Sequence, residues 1–234
     1  MLRFSPLALR GVPAGLFIRE DGEILLIANE SFAISPDGDV LRRRTVFTPD
    51  LGLAATSAAT FIEGCGVLLA GASSFAWLNP DTLDLGAVNS IPGGYTLVSF
   101  TATPRCDVAA IANPVSPTLL LLSPDGETRF AVPTTPSRPP FALADGGFLI
   151  VGTDGYDVFA SDGTRTQSVS HPIPLSACST TQAGLSPDGT LFRVCASDDP
   201  RDPYVAAIPT GFAPAGNFGP QEGIDFARTN SMGE

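Results

Sequence analysis

Short apolar runs recur along this chain and are separated by clusters of Pro, Asp and Gly. The runs are about five residues long, are rich in β-branched and aromatic residues, and include residues 24–27, 67–70, 108–112, 148–151 and 191–195. No long stretch shows the spacing of an amphipathic helix. This pattern predicts an all-β protein with short strands.

Two interleaved series of turn signals set the spacing of the strands. One series passes through Gly22, Gly64, Cys106, Gly146 and Gly189, and the other through Gly38, Thr82, Gly126, Gly163 and Gly211. In such turns Pro presets φ, the Asp side chain forms a hydrogen bond with the nearby backbone, and Gly accepts a positive φ. Each signal therefore predicts a hairpin. Two hairpins per period of about 42 residues predict a repeat of four strands.

A four-stranded repeat of this length fits the blades of a β-propeller. The segment Leu185-Ser186-Pro187-Asp188-Gly189-Thr190-Leu191 resembles the S-P-D-G-x-x-L signature of the WD40-like repeats in bacterial TolB-type propellers, and residues 35–39 and 123–127 match it less fully. The resemblance implies a fold. It carries no catalytic residue to this chain, because such repeats occur in scaffolds, periplasmic assemblies and enzymes.

The sequence predicts one propeller domain over residues 1–234, with five complete repeats and a partial sixth as a further alternative. The repeats are expected at about residues 15–55, 56–95, 96–136, 137–179 and 180–216. Residues 2–9 lie where a fourth strand would precede the first repeat, and residues 223–227 resemble a first strand. The termini, 1–14 and 217–234, are therefore candidates for ring closure, in a five-bladed or a truncated six-bladed ring.

The net charge of the chain argues against two classes of partner. Thirteen basic residues, all Arg, against 24 acidic residues give a net charge of −11, which repels nucleic acid and anionic membranes. The basic run Arg42, Arg43 and Arg44 is expected on a solvated edge strand. No apolar run reaches the roughly 20 residues of a membrane span, which favours a soluble protein.

The N-terminal sequence gives two alternative expectations for localisation. Residues 6–9 form too short an apolar stretch for a secretory signal. We expect the cytoplasm if Met1 is the native start, and the periplasm or extracellular space if the chain is a mature fragment.

The four cysteines show no C-x-x-C spacing, which argues against a zinc knuckle or a thioredoxin-type motif. Cys65 and Cys106 fall at matching positions of successive repeats. Cys178 and Cys195 flank one predicted hairpin, where a disulfide is sterically allowed and ordinary buried thiols are the alternative.

Propeller ligands usually meet the face that carries the loops between strands two and three and between blades. These loops supply the candidate ligand or partner residues Asn29, Glu30, Asn113, Asp154, Asp157, His171, Asp198, Asp199, Arg201 and Asp202. Asp198, Asp199 and Asp202 form the densest acidic cluster, for which a calcium site and a solvated loop are the two interpretations. We expect no cofactor, with calcium as the alternative.

His171 is the only histidine, which excludes a site with several histidine ligands, and we expect it at the surface. Trp77 is expected to pack between blades. Because no motif with a catalytic mechanism emerges, the sequence favours a non-catalytic scaffold or protein-interaction domain with a protein partner. The alternative is a divalent-cation-dependent hydrolase or lactonase with a carboxylate site on the channel face. A glycan-binding propeller would need aromatic pockets in successive blades, which the repeats do not show.

Overall fold

The structure is a computed structural model that describes residues 14–28, 30–46, 58–71, 73–113, 115–134, 140–170, 178–196 and 204–215. For residues 179–182 only the backbone is described. The described residues form five antiparallel sheets. Their one other regular element is a short 3₁₀ helix, Pro92–Gly94.

Each of the first four sheets has four strands in chain order. The first sheet contains β1 Gly15–Ile18, β2 Ile24–Ile27, β3 Glu30–Ile34 and β4 Val40–Thr45. The second contains β5 Ala58–Ile62, β6 Gly66–Ala70, β7 Ser74–Leu78 and β8 Asn89–Ser90. The third contains β9 Leu97–Ala102, β10 Val108–Ala112, β11 Thr118–Leu122 and β12 Thr128–Pro133. The fourth contains β13 Phe141–Ala142, β14 Phe148–Val151, β15 Gly155–Phe159 and β16 Arg165–Ser170.

The fifth sheet has three strands among the described residues: β17 Cys178–Leu185, β18 Thr190–Cys195 and β19 Tyr204–Pro209. The repeat predicts a fourth strand here, and the described residues 210–215 do not form one. After Pro209 the chain turns towards the fourth sheet. There the Ala215 N–H donates to the Ala142 carbonyl at 2.8 Å, and the Ala144 N–H donates to the Ala213 carbonyl at 2.9 Å. The segment that should form the fourth strand pairs instead beside β13.

The turn chemistry confirms the predicted hairpins of the first four sheets and the hairpin between β17 and β18. In the turn before β18 the Gly189 N–H donates to the Ser186 carbonyl at 2.9 Å, and the Ser186 hydroxyl accepts from the Thr190 N–H at 3.0 Å. Gly189 has φ +80°, which is the left-handed conformation that glycine adopts at least cost. Cys106, the non-glycine member of its series, has φ +63°.

The sheets pack face to face. Clusters of buried apolar side chains fill the space between successive sheets, as where Leu25 and Ile27 of the first sheet meet Val67 and Leu69 of the second. The first strands β1, β5, β9 and β13 contact one another in sequence, so these sheets share an inner side. We call the side with the turns after strands one and three the turn face, and the opposite side the loop face.

Two disulfide bonds cross-link the fold, one between two sheets and one within a sheet. Cys65–Cys106 joins the turns after the first strands of the second and third sheets, with a Cα–Cα distance of 5.4 Å. Cys178–Cys195 links the paired ends of β17 and β18. No cysteine in the described residues is free. The disulfide is therefore the alternative that holds at Cys178 and Cys195, rather than buried thiols.

Candidate interaction surfaces

Two of the loop-face candidates take part in local structure. Glu30 is the first residue of β3 and accepts a hydrogen bond from Arg43 Nε on β4. Asn113 follows β10 with φ +57°, and its Oδ1 accepts from the Thr96 N–H at 3.3 Å while its own N–H donates to the Thr96 carbonyl at 2.8 Å. These bonds give Asn113 a role in closing the loop.

The two fourth-sheet candidates are separated by the start of β15. Asp154 lies in the loop before this strand, whereas Asp157 lies within it and is buried. Asp157 Oδ2 is 3.9 Å from Arg165 Nη1 on β16, which makes this a loose ion pair. Asp157 therefore belongs to the sheet, and Asp154 remains at the loop face.

Arg193 is a residue that sequence reasoning missed. It lies in β18, has no exposed surface, and packs at the junction of the fourth and fifth sheets. Its Nη2 donates to the Cys178 carbonyl at 3.2 Å and its Nη1 to the Thr153 carbonyl at 3.4 Å. Burial lowers the pKa of Arg193, and the nearby Asp154 carboxylate only partly opposes this. The signal was present in the sequence, because Leu191, Arg193 and Cys195 share one face of a strand whose other members there are apolar.

The remaining candidates, Asn29, His171, Asp198, Asp199, Arg201 and Asp202, lie outside the described residues. Within the described ranges, no group of three or more His, Cys, Asp or Glu side chains is placed to hold a metal ion. The calcium site and the cation-dependent hydrolase therefore stay predictions.

A cleft of about 600 Å³ opens on the turn face, opposite the predicted site. It lies mainly on the second sheet, and the first sheet contributes Arg19. Its polar lining residues are Arg19, Glu63, Asn79, Asp81, Thr82 and Asp84, and Gly64, Gly66 and Gly86 leave its wall free of side chains. Trp77 borders this cleft and packs against the core between the second and third sheets, which confirms its predicted position between blades.

Arg19 organises the charges of this turn-face cleft. Its Nη1 lies 2.8 Å from Asp81 Oδ1 and 3.1 Å from Glu23 Oε1, and its Nη2 lies 3.8 Å from Glu63 Oε1. The buried Glu23 also accepts from Arg42 Nη2 at 2.5 Å. Burial lowers the pKa of Arg19, but its hydrogen bonds to Asp81 and Glu23 outweigh burial and raise this pKa above its ordinary value.

The rim of the cleft is acidic. The side chains of Asp81 and Asp84 are 69% and 55% exposed, and Glu63 is 48% exposed, while Arg19 is only 16% exposed. Asp84 also pairs with Arg44 at 2.5 Å. Arg44 belongs to the arginine run that the sequence predicts to be solvated, and this run lies on the exposed strand β4. The carboxylates of Glu23, Glu63, Asp81 and Asp84 outnumber by one the guanidinium groups of Arg19, Arg42 and Arg44 that pair with them, so the opening of the cleft is weakly negative.

No family model and no curated protein matches this chain. Solved structures do. The Dos1 propeller matches with a TM-score of 0.54 at 13% identity, over 86% of this chain and 61% of that one. The fold is a β-propeller. The BBS1N structure, solved in complex with ARL6DN, matches with a TM-score of 0.54 at 10% identity, over 90% of this chain and 72% of that one. A protein assigned as a gluconolactonase matches with a TM-score of 0.51 at 13% identity, over 87% and 77%.

These likenesses establish the propeller architecture alone, because the identities are low and the matched proteins differ in kind. The chain spans less than two thirds of the length of the Dos1 propeller. No helix in the described part of the propeller is long and apolar enough to cross a bilayer.

Proposed function

We propose that this propeller is a non-catalytic interaction protein that binds a basic segment of a protein partner in the turn-face cleft. The observation that carries the proposal is the acidic rim of that cleft, formed by the exposed carboxylates of Glu63, Asp81 and Asp84, whose charges Arg19 and Arg44 offset only in part.

Electrostatics favours a cationic partner. The negative rim lies on a chain of net charge −11, so both the local and the overall field attract basic groups and speed their encounter. Each ion pair between an exposed carboxylate and the partner typically contributes only about 0.2–1 kcal/mol, so binding would depend on several rim carboxylates together.

The shape of the cleft suits a polypeptide. It is open, its glycines allow close approach of a backbone, and Trp77 at its border is a residue type enriched at protein interfaces. The BBS1N structure, itself a complex with ARL6DN, supports an interaction role by analogy of fold.

A photo-crosslinking residue introduced at Thr82, on the exposed edge of the cleft, tests the proposal in the native cell. We expect one protein to be captured at Thr82 and not at Glu127, an exposed residue in the turn between β11 and β12. The purified pair should bind more weakly in the variant Glu63→Gln/Asp81→Asn, by about 2- to 5-fold per charge, and at higher salt. The variant Glu127→Gln is the matched control for charge.

Capture from Asp154 rather than Thr82 would move the partner to the loop face and overturn the proposed cleft. Binding that is indifferent to both salt and the rim variant would contradict a basic partner segment.

A further inference from the structure

The two disulfides of this protein differ in how far a reductant can reach them. Cys65 and Cys106 are partly exposed at the turn face, and Cys65 lines the turn-face cleft. Cys178 and Cys195 are 7% and 0% exposed and belong to the apolar core between the fourth and fifth sheets. Reduction begins when a thiolate attacks one sulfur of the bond, so the accessible pair should react first. The chain therefore carries one reachable disulfide and one protected disulfide.

Cys106 occupies a turn position at which glycine would be less costly. Its φ is +63°, a left-handed conformation that disfavours any residue with a Cβ atom. The corresponding turn residues of the other four sheets are all glycines with φ between +80° and +86°, namely Gly22, Gly64, Gly146 and Gly189. A residue that is kept in a costly backbone conformation points to a role that requires its side chain.

The packing of the second sheet against the third does not depend on this bond. Buried apolar side chains from both sheets, including Leu68, Phe75, Phe100 and Leu120, fill the space between them. The bond instead joins two turns at the edge of that core. Reduction should therefore leave the sheets packed and release the turns.

One of the two turns forms a wall of the cleft. Glu63, Gly64, Cys65 and Gly66 line the cleft consecutively, and Glu63 is one of the rim carboxylates. Gly64 and Gly66 have φ +83° and +109°, so Cys65 lies between two residues with unusual backbone freedom. The ion pair of Glu63 with Arg19 is loose, at 3.8 Å. The disulfide is thus the covalent tether of a turn whose sequence permits movement.

We propose that the Cys65–Cys106 disulfide is a redox switch that controls the turn-face cleft. With the bond formed, the wall that carries Glu63 is fixed and the rim carboxylates are held together. With the bond reduced, this wall moves, and the cleft binds a basic segment less tightly because more freedom is lost on binding. The effect on binding rests on the proposed function, whereas the movement of the wall does not.

The reductant for this switch is a dithiol. One of its thiolates attacks a sulfur of the Cys65–Cys106 bond, which forms a mixed disulfide and releases the other cysteine as a thiolate. The second thiol of the reductant, as a thiolate, then displaces the remaining cysteine, and the reductant leaves as its own disulfide. Two electrons pass to the protein, and the two protons of the dithiol end on the two cysteine sulfurs.

Graded reduction of the folded protein tests which disulfide is reachable. The protein is incubated with increasing dithiothreitol, free thiols are alkylated, and mass spectrometry identifies the modified cysteines. We expect Cys65 and Cys106 to be alkylated at least about 10-fold faster than Cys178 and Cys195, while circular dichroism stays strand-dominated. Alkylation of all four cysteines together, or of Cys178 and Cys195 first, would overturn the proposal.

Trp77 reports on the cleft without any partner, because it is the only tryptophan of the chain and borders the cleft. We expect selective reduction to raise the acrylamide quenching constant of its fluorescence by at least about 1.5-fold, and reoxidation to reverse this. The variant Cys65→Ser/Cys106→Ser should be quenched like the reduced wild type and should not respond to dithiothreitol. Quenching that selective reduction of the wild type leaves unchanged would contradict the switch.

A labelled peptide of repeated Arg-Gly units separates this inference from the proposed function. Selective reduction should weaken its binding by about 2- to 5-fold, the effect expected for one rim carboxylate. Equal affinity of the oxidised and reduced forms would overturn the proposal. A peptide that binds neither form, while the quenching of Trp77 still responds to reduction, would contradict the basic partner segment and support the redox control of the cleft.

Discussion

Arg193 Nη2 donates a hydrogen bond to the main-chain carbonyl of Cys178, 3.2 Å away, so a guanidinium with no exposed surface is held by backbone oxygens. No described carboxylate lies within ion-pair distance of it. A buried cation without a direct counterion gains little net stability, because its desolvation offsets its bonds.

We therefore expect Arg193→Met, which keeps the length of the side chain, to change the free energy of unfolding by no more than about 1 kcal/mol. Arg193→Ala should lose about 2–4 kcal/mol, because it leaves a cavity. Urea denaturation measures both. A loss above about 3 kcal/mol in Arg193→Met would show instead that the guanidinium has a charged partner.

Gly189 and Gly211 offer a matched pair of turn substitutions. Both have positive φ, at +80° and +77°, so alanine carries a similar backbone cost of about 1–2 kcal/mol at each. A Cβ on Gly189 would also lie 2.9 Å from the Phe212 nitrogen, whereas one on Gly211 meets nothing within 4 Å. Gly189→Ala should therefore lower Tm more than Gly211→Ala, and equal Tm values would contradict this close approach.

Asp188 should make stability depend on pH. A hydrogen bond from the Ser186 hydroxyl, followed by one from the Thr190 N–H, lowers the pKa of Asp188 below its ordinary value of 3.8. A depressed folded pKa adds stability above the unfolded pKa, and this is lost as pH falls through the folded pKa. The Tm advantage of the wild type over Asp188→Asn should therefore be present at pH 7 and shrink below about pH 4. Glu127→Gln is the charge control, and a pH-independent advantage would argue against this linkage.

Removing the Cys65–Cys106 disulfide should destabilise the propeller. It closes a loop with a sequence separation of 41, for which a disulfide typically contributes about 2–4 kcal/mol. Thermal unfolding of Cys65→Ala/Cys106→Ala without reductant should show a correspondingly lower Tm. An unchanged Tm would mean that the bond does not constrain the unfolded chain.

The acidic loop at Asp198, Asp199 and Asp202 is expected to be solvated. Replacing all three with Asn should change the free energy of unfolding by no more than about 0.5 kcal/mol, and added calcium should shift Tm for neither protein. Calorimetry with and without calcium decides this. A calcium-dependent rise in the wild type alone would establish the cation site.

The sequence predicted most of what is local. Hairpins depend on residues close in the chain, so the Ser-Pro-Asp-Gly turns and the positive φ of Gly189 could be read from the letters. The path of residues 210–215 could not be predicted in this way, because it depends on hydrogen bonds to the main chain of Ala142 and Ala144, about 70 residues earlier.

The same distinction applies to the candidate sites. Carboxylates in predicted loops could be named, but the turn-face cleft requires Arg19 to meet Asp81, 62 residues away on another sheet. Such a contact depends on how the two sheets pack together, which the spacing of residues in the sequence does not reveal. Arg193 was the one missed residue with a local signal, a charged side chain on the inward face of a strand.

The Cys65–Cys106 bond closes a covalent circuit around β6 to β9. A protease that cuts once inside this circuit does not release two fragments, because both remain attached through sulfur. The nicked protein would run as one species on a non-reducing gel and as two after reduction. A cut outside the circuit, between the third and fourth sheets for example, yields separate pieces under either condition.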